Sequence, residues 1–305
     1  MYFRVMSKNI VQLLLLVGLL TSIALAETPS YQILNFPFSS RSASMGGGRA
    51  VDPGPGIDIQ GNPAGLIFSE STSMQAGFVN HLVGIKGYSA AGVVPLERHR
   101  IGIETLLFDY GQFDATSVSG ITTGTFGYQE LSMGLSYAFE FSSTLSLGTR
   151  VGHYRRTADS ETSSDAYYDI GGVYRIQEDS LSIGVFLSSI PLGESQELMP
   201  RQLRVGSSKR LAHLPLRLNL EGIYAFDQRF RFALGAEILL HESFRLRLGI
   251  NSNRFDFQTG VSESDFVAGA AGGFVIDWNG ILIESATQSF GGIGWVSQMS
   301  FSYQL

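Results

Sequence analysis

"LSMGLSYAFEF", from Leu131 to Phe141, alternates without a break. One side reads Leu131, Met133, Leu135, Tyr137, Phe139 and Phe141, and the other reads Ser132, Gly134, Ser136, Ala138 and Glu140. Successive strand side chains point to opposite faces, so this is a strand with one large apolar face and one small polar face. A soluble sandwich also alternates, but its strands usually run about 5–6 residues. A strand that crosses a bilayer needs about 9–11 residues. The quoted segment has that length, and its polar side is dominated by Ser and Gly instead of being rich in the Lys, Thr and Glu of a solvated sheet face.

The pattern recurs down the chain. Leu145, Leu147, Thr149 and Val151 alternate with Ser146, Gly148, Arg150 and Gly152. Phe230, Phe232, Leu234, Ala236, Ile238 and Leu240 alternate with Arg231, Ala233, Gly235, Glu237 and Leu239. Phe244, Leu246, Leu248 and Ile250 alternate with Arg245, Arg247, Gly249 and Asn251. Fourteen strands are expected, at 73–80, 83–95, 99–110, 126–141, 143–157, 165–176, 179–190, 201–210, 214–226, 229–241, 243–251, 266–277, 280–289 and 293–305. Residues 254–259 are a possible further short strand inside a connection. The longer connections, 111–125, 158–164, 191–200 and 252–265, all follow odd-numbered strands, whereas those after even-numbered strands are short. Outer-membrane barrels show this asymmetry, with short periplasmic turns and longer outer loops. The expected fold is therefore all-β: a transmembrane antiparallel β-barrel of about 14 strands, with both termini in the periplasm of an outer membrane.

Composition agrees. The chain has 305 residues, 36 of them glycine, and only 16% are charged. That is well below the roughly 25% of soluble domains. There is no cysteine, hence no disulfide and no thiolate metal site. Arg4 and Lys8 precede a short apolar run, Ile10 to Leu20, and Ala24-Leu25-Ala26 supplies a small-residue cleavage pattern. Residues 1–26 read as a secretory signal peptide. Without Arg4 and Lys8 the 21 basic residues become 19 against 27 acidic, a net charge of −8. That balance argues against a nucleic-acid partner.

Residues 27–72 lie between the signal and the barrel of 73–305. They contain "RSASMGGGRA" (41–50), Asp52-Pro53-Gly54-Pro55-Gly56 and "GIDIQGNPAGL" (56–66). Glycine permits a chain to double back in little space. Tyr31, Ile33, Leu34, Phe36, Phe38, Met45, Ile57, Ile59, Leu66, Ile67 and Phe68 make the segment too apolar for a disordered tail. It is expected to be an N-terminal hatch folded into the lumen. Its motif Asn62, Pro63, Ala64 and Gly65 reads as the last turn of that hatch, because a residue before proline is biased to extended backbone and asparagine caps turns.

The inner faces of strands 9 to 11 carry Arg217, Asn219, Glu221, Arg229, Arg231, Glu237, Arg245 and Arg247. Opposite charges on one face of adjacent strands form a ladder. The ladder reads either as a brace for the wall and its plug, or as an anion-attracting channel lining. At the other end of the sequence, Trp295, Ser297, Met299, Phe301, Tyr303 and Leu305 share one face. Phe301, Tyr303 and Leu305 resemble the C-terminal signal read by barrel-assembly machinery, with leucine in place of the usual terminal aromatic.

Catalysis has no footing here. The histidines, His81, His99, His153, His213 and His241, form no zinc-binding pattern, and His241-Glu242 lacks a second histidine. No G-x-S-x-G elbow occurs, and glycines 46–48 fail the dinucleotide pattern at Val51. Neither an enzyme nor a cofactor is expected.

The arrangement of an export signal, "SRSASMGGGRAV", "GNPAGL" and fourteen amphipathic strands resembles the FadL-like outer-membrane barrel superfamily. Within it the chain looks most like the PorV/PorQ family of the type IX secretion system. The likeness rests on Tyr31-Gln32-Ile33-Leu34-Asn35-Phe36-Pro37, Phe108-Asp109-Tyr110-Gly111-Gln112-Phe113, Leu214-Pro215-Leu216-Arg217 and Gly291-Gly292. It implies a PorQ-like, non-enzymatic scaffold of the surface attachment complex, with PorU-, PorV- and PorZ-like partners. Two alternatives stay open: a FadL-like transporter of hydrophobic compounds, and a general porin. The arginines of strands 9 to 11 are unfavourable for an apolar lumen.

Overall fold

The computed structural model describes residues 31–51, 57–58, 60–159, 161–176, 180–194, 199–226, 230–257 and 259–305. The expected signal peptide at 1–26, the Asp52–Gly56 run, Ile59 and Arg229 lie outside the described residues.

Fourteen strands close into one antiparallel barrel in sequence order. They are β1 (Ser73–Asn80), β2 (Lys86–Leu96), β3 (His99–Thr116), β4 (Thr122–Glu140), β5 (Leu145–Ala158), β6 (Glu161–Ile176) and β7 (Leu181–Pro191). The circuit continues through β8 (Gln202–Arg210), β9 (Leu216–Ala225), β10 (Arg231–His241), β11 (Phe244–Asn251), β12 (Ala270–Trp278), β13 (Ile281–Ser289) and β14 (Trp295–Gln304). β1 pairs with β14 from Ser73↔Gln304 to Asn80↔Ser297, so no edge is left open. That register also puts the start of β1 and the end of β14 at one end of the barrel, beside the turns that follow even-numbered strands.

The burial pattern is inverted relative to a soluble protein. On β14, Val296, Gln298, Ser300 and Ser302 are buried, while Trp295, Met299, Phe301 and Tyr303 are exposed. Elsewhere Met133, Leu135 and Tyr137 face outward and Ser132 and Ser136 face inward. The large apolar faces thus coat the outside, and the small polar faces line the interior. Among the described residues no helix is long and apolar enough to cross a membrane.

The structure corrects several boundaries. The expected connection 111–125 is mostly strand, because β3 continues to Thr116 and β4 begins at Thr122. A bulge between Asp109 and Gln112 interrupts the alternation there, with Gly111 at φ 83° and its N–H donating to Asp109 Oδ1 at 2.9 Å. A bulge adds an unpaired residue and shifts the faces by one, which hides the continuation from a period-2 reading. Most of 158–164 is likewise strand, since β5 runs to Ala158 and Glu161 opens β6. β12 starts at Ala270 rather than 266, and the residues before it form a short helix, Ser262–Val267. Asp265 holds that loop by accepting the Thr259 and Gly260 N–H groups at 2.7 and 2.9 Å. Residues 252–255 form a 3-10 turn, not a strand.

The segment before β1 contributes helix α1 (Gln32–Asn35), helix α2 (Ser40–Ser44) and a 3-10 turn at Pro63–Phe68; the Ser262–Val267 helix is α3. Tyr31, Ile33, Phe36 and Phe38 are buried against the inward side chains Val79, Leu106, Phe108, Tyr154 and Val296. The rings of Phe36, Phe38 and Phe108 lie 4.7 to 5.3 Å apart. The apolar residues of this segment therefore find their core on the inner face of the wall.

Candidate functional site

Asn62 is buried at the centre of the motif. Its Oδ1 accepts the Ala64 N–H at 3.0 Å and caps the 3-10 turn, with Pro63 at the first turn position, where a missing N–H costs nothing. Its Nδ2 donates into a cluster of carbonyls: Ala50 at 2.8 Å, Val185 at 3.1 Å and Gly172 at 3.2 Å. Its backbone N–H donates to Arg49 O at 2.9 Å. One side chain thus joins two parts of the N-terminal segment to β6 and β7. Glycines make room for it. A Cβ on Gly171 would sit 1.8 Å from Asn62 Oδ1, and one on Gly148 would sit 2.3 Å from the Ala64 nitrogen.

Inward carboxylates bind the rest of the segment to the wall. Glu221 accepts the N–H groups of Arg49 and Ala50 at 2.7 and 2.6 Å. Glu104 accepts Gln60 N at 3.1 Å, and Glu130 accepts Ile33 N at 3.0 Å. Tyr31 donates to Asp165. Arg150 donates to Gly61 O at 2.9 Å while pairing with Asp169 at 2.7 Å and Glu104 at 3.2 Å. Gln288 reaches Ala43 O at 2.8 Å, and Gln298 reaches Pro37 O at 3.2 Å. Such charge-assisted bonds in a shielded interior are stronger than neutral ones.

The charged residues of strands 9 to 11 separate into groups. Arg217, Glu237 and Arg247 are contiguous: Glu237 accepts from Arg217 at 3.0 Å and from Arg247 at 2.8 Å. Arg247 also pairs with Glu284 of β13 at 2.7 Å. Glu221 belongs elsewhere, with Arg204 of β8 at 2.6 Å. Arg231 lies beside Asn253, at 3.4 Å, at the opposite end of β10 from Glu237's partner strands' turns. Arg245 makes no ion pair among the described residues, and Arg229 lies outside them. Glu104, Arg150, Asp169, Arg204 and Glu284 were missed by the reading of strands 9 to 11 alone. Each sits on the inward face of its own strand, so following the alternation along strands 3, 5, 6, 8 and 13 finds them. Phe301, Tyr303 and Leu305 are exposed on the outer surface.

Between the N-terminal segment and the loops that follow odd-numbered strands lies a cavity of about 390 Å³. One wall is aromatic and aliphatic: Phe36, Ile85, Phe108, Phe257 and Phe290, with His81. The other is polar: Asn35, Gln202, Arg204, Arg231, Asn251 and Asn253. His81 stands among the rings of Phe36, Phe108 and Phe290 at 5.2 to 6.0 Å. Burial lowers its pKa from the ordinary value, so the ring is neutral at pH 7. The cavity can take an apolar or aromatic molecule on one side and hydrogen-bond a polar end on the other. Among the described residues no group of three or more His, Asp or Glu side chains is placed to hold a metal ion.

No model of a known protein family matches the chain, and no curated protein matches it. Solved structures do. The toluene transporter TbuX of Ralstonia pickettii superposes with a TM-score of 0.60 at 14% identity, covering 90% of this chain and 99% of TbuX. The toluene transporter TodX of Pseudomonas putida gives 0.57 at 11% identity, covering 92% and 98% of the two chains. A FadL homologue of Pseudomonas aeruginosa gives 0.53 at 11%, covering 86% and 98%. The chain has the closed fourteen-stranded fold of the FadL-like barrels.

Proposed function

We propose that the protein is an outer-membrane channel for small hydrophobic compounds, aromatic ones in particular. The observation that carries this is the 390 Å³ cavity with an aromatic wall, seated between the N-terminal segment and the odd-numbered loops. Its size falls in the range of about 300–1,000 Å³ usual for small-molecule sites. Two barrels of the same fold are named as toluene transporters, which supports this substrate class. In this reading the odd-numbered loops face the outside, the termini lie in the periplasm, and outer-membrane lipid covers the apolar belt. Residues 31–51, 57–58 and 60–72 act as a hatch that blocks a straight aqueous path, which disfavours a general porin. Of the arginines of strands 9 to 11, Arg217 and Arg247 are neutralised by Glu237 and Glu284 away from the cavity, and Arg231 belongs to its polar side, leaving the aromatic side free of charge.

The test is fluorine NMR of the purified protein with a fluorinated toluene. Saturable binding that weakens in Phe257→Asp and Phe290→Asp supports the channel. Binding indifferent to both substitutions overturns the assignment of the cavity.

A second reading, a type IX scaffold, draws on the sequence resemblance and on one structural observation. The β3–β4 hairpin carries exposed Phe113, Val118 and Ile121, with the Phe113 and Phe126 rings stacked at 5.6 Å. An exposed apolar tip suits partner docking. Co-purification of PorU-, PorV- or PorZ-like proteins, lost on replacing Val118 and Ile121 with serine, would favour that scaffold.

A further inference from the structure

At the end of the barrel opposite the aromatic cavity, Arg210 of β8 and Arg217 of β9 are direct cross-strand partners. Like charges placed directly opposite each other destabilise a sheet. Arg245 of β11 faces the same space, and the three guanidiniums line a cavity of about 160 Å³. Glu237 is the one carboxylate among the residues lining it, and both its oxygens are engaged, one by Arg217 and one by Arg247. Arg247 is itself held by Glu284. Glu237 and, more weakly, Asp277 of β12 exert their fields on Arg245, but among the described residues no carboxylate lies within ion-pair distance of Arg245 or Arg210. Arg245 Nη1 is shielded from solvent and makes no hydrogen bond. The cavity therefore holds an excess of positive charge and an unused buried donor. Its volume far exceeds the roughly 30 Å³ of a water molecule.

We propose that this cavity binds a phosphate-type oxyanion, bridging Arg210, Arg217 and Arg245. A tetrahedral oxyanion offers several acceptors to guanidinium forks, and it removes the repulsion between Arg210 and Arg217. The phosphate can come free in solution or on a phospholipid headgroup, since the site opens at the rim where the even-numbered turns lie. This inference is independent of the aromatic cavity.

The full-length protein in zwitterionic detergent is titrated with inorganic phosphate against chloride at equal ionic strength, by calorimetry and by thermal unfolding. Phosphate should bind and raise the unfolding midpoint, and chloride should not. Arg210→Gln and Arg245→Gln should each weaken phosphate binding by about tenfold, the loss of a hydrogen bond between charged groups. Arg98→Gln, at the same end but outside the cavity, should change nothing. Arg210 is exposed, so its variant keeps the test valid if Arg245→Gln fails to fold. Native mass spectrometry from phosphatidylglycerol nanodiscs separates the sources. Retained lipid that phosphate displaces assigns a headgroup, and phosphate binding without retained lipid assigns the free anion. Equal response to phosphate and chloride, or unaltered phosphate binding in Arg210→Gln, overturns the proposal.

Discussion

The Glu221 carboxylate ties three stretches of chain together: Oε1 accepts from Arg204 Nη1 at 2.6 Å, and Oε2 accepts the backbone N–H groups of Arg49 and Ala50. All are buried. Glu221→Ala leaves a buried guanidinium unpaired, which costs about 3–5 kcal/mol. The expected outcome is a lower thermal midpoint in detergent, with Glu221→Gln in between because its amide oxygen still accepts.

Asn62 and Gly171 should behave as a coupled pair. Asn62→Leu leaves the carbonyls of Ala50 and Val185 without their donor, at about 1–3 kcal/mol per buried group. Gly171→Ala pushes a methyl group into the position of Asn62 Oδ1, which the surrounding carbonyls prevent from moving. Each single variant should reduce the folded barrel seen by heat-modifiable electrophoretic mobility. Asn62→Ala combined with Gly171→Ala should cost less than the sum of Asn62→Ala and Gly171→Ala measured singly, since the clash disappears with the side chain. Normal folding of Asn62→Leu with loss of uptake would instead make the motif a working part of transport.

Arg247 is fully buried between Glu237 and Glu284, and Arg247→Leu leaves Glu284 without its arginine and Glu237 with Arg217 alone. A loss of about 3–5 kcal/mol is expected. Arg247→Leu with Glu284→Gln should recover part of it, measured by urea unfolding in detergent.

His81 gives the pH dependence a sign. Burial holds its folded-state pKa below the ordinary 6.5, so above that pH the ring is neutral in both states and contributes nothing adverse. As pH falls below 6.5 the unfolded chain takes up the proton first, and stability is lost down through the lower folded value. Between pH 7 and pH 5 the unfolding midpoint should fall, and His81→Phe should flatten that part of the curve.

Much of the barrel was legible because its logic is local. Period-2 alternation located β1 at Ser73–Asn80 and gave the number of strands without any long-range information. Reading failed where the alternation was broken by a bulge, as at Gly111, or where both faces were polar, as at Thr162 to Ser164. The interior was less legible, because cross-strand partners depend on register. Glu221 and Glu237 look equivalent in the sequence, yet one meets Arg204 and the backbone of Arg49, and the other meets Arg217 and Arg247. The aromatic cavity was hidden for a similar reason: Phe36, Phe108, Phe257 and Phe290 are far apart in the chain and meet only when the barrel closes. The motifs behind the resemblance to a secretion scaffold lie in the N-terminal segment, within β3, at the start of β9 and in the turn before β14. The solved neighbours share with this chain the fold of the FadL-like barrels.

The central claim is tested most directly by uptake of labelled toluene into cells that carry the protein in their outer membrane. Uptake faster than in cells carrying an unrelated closed barrel, saturable, and reduced toward that background by Phe257→Asp at the cavity wall, is the predicted result. Uptake equal to the background, or unchanged by Phe257→Asp in a normally folded barrel, would contradict it.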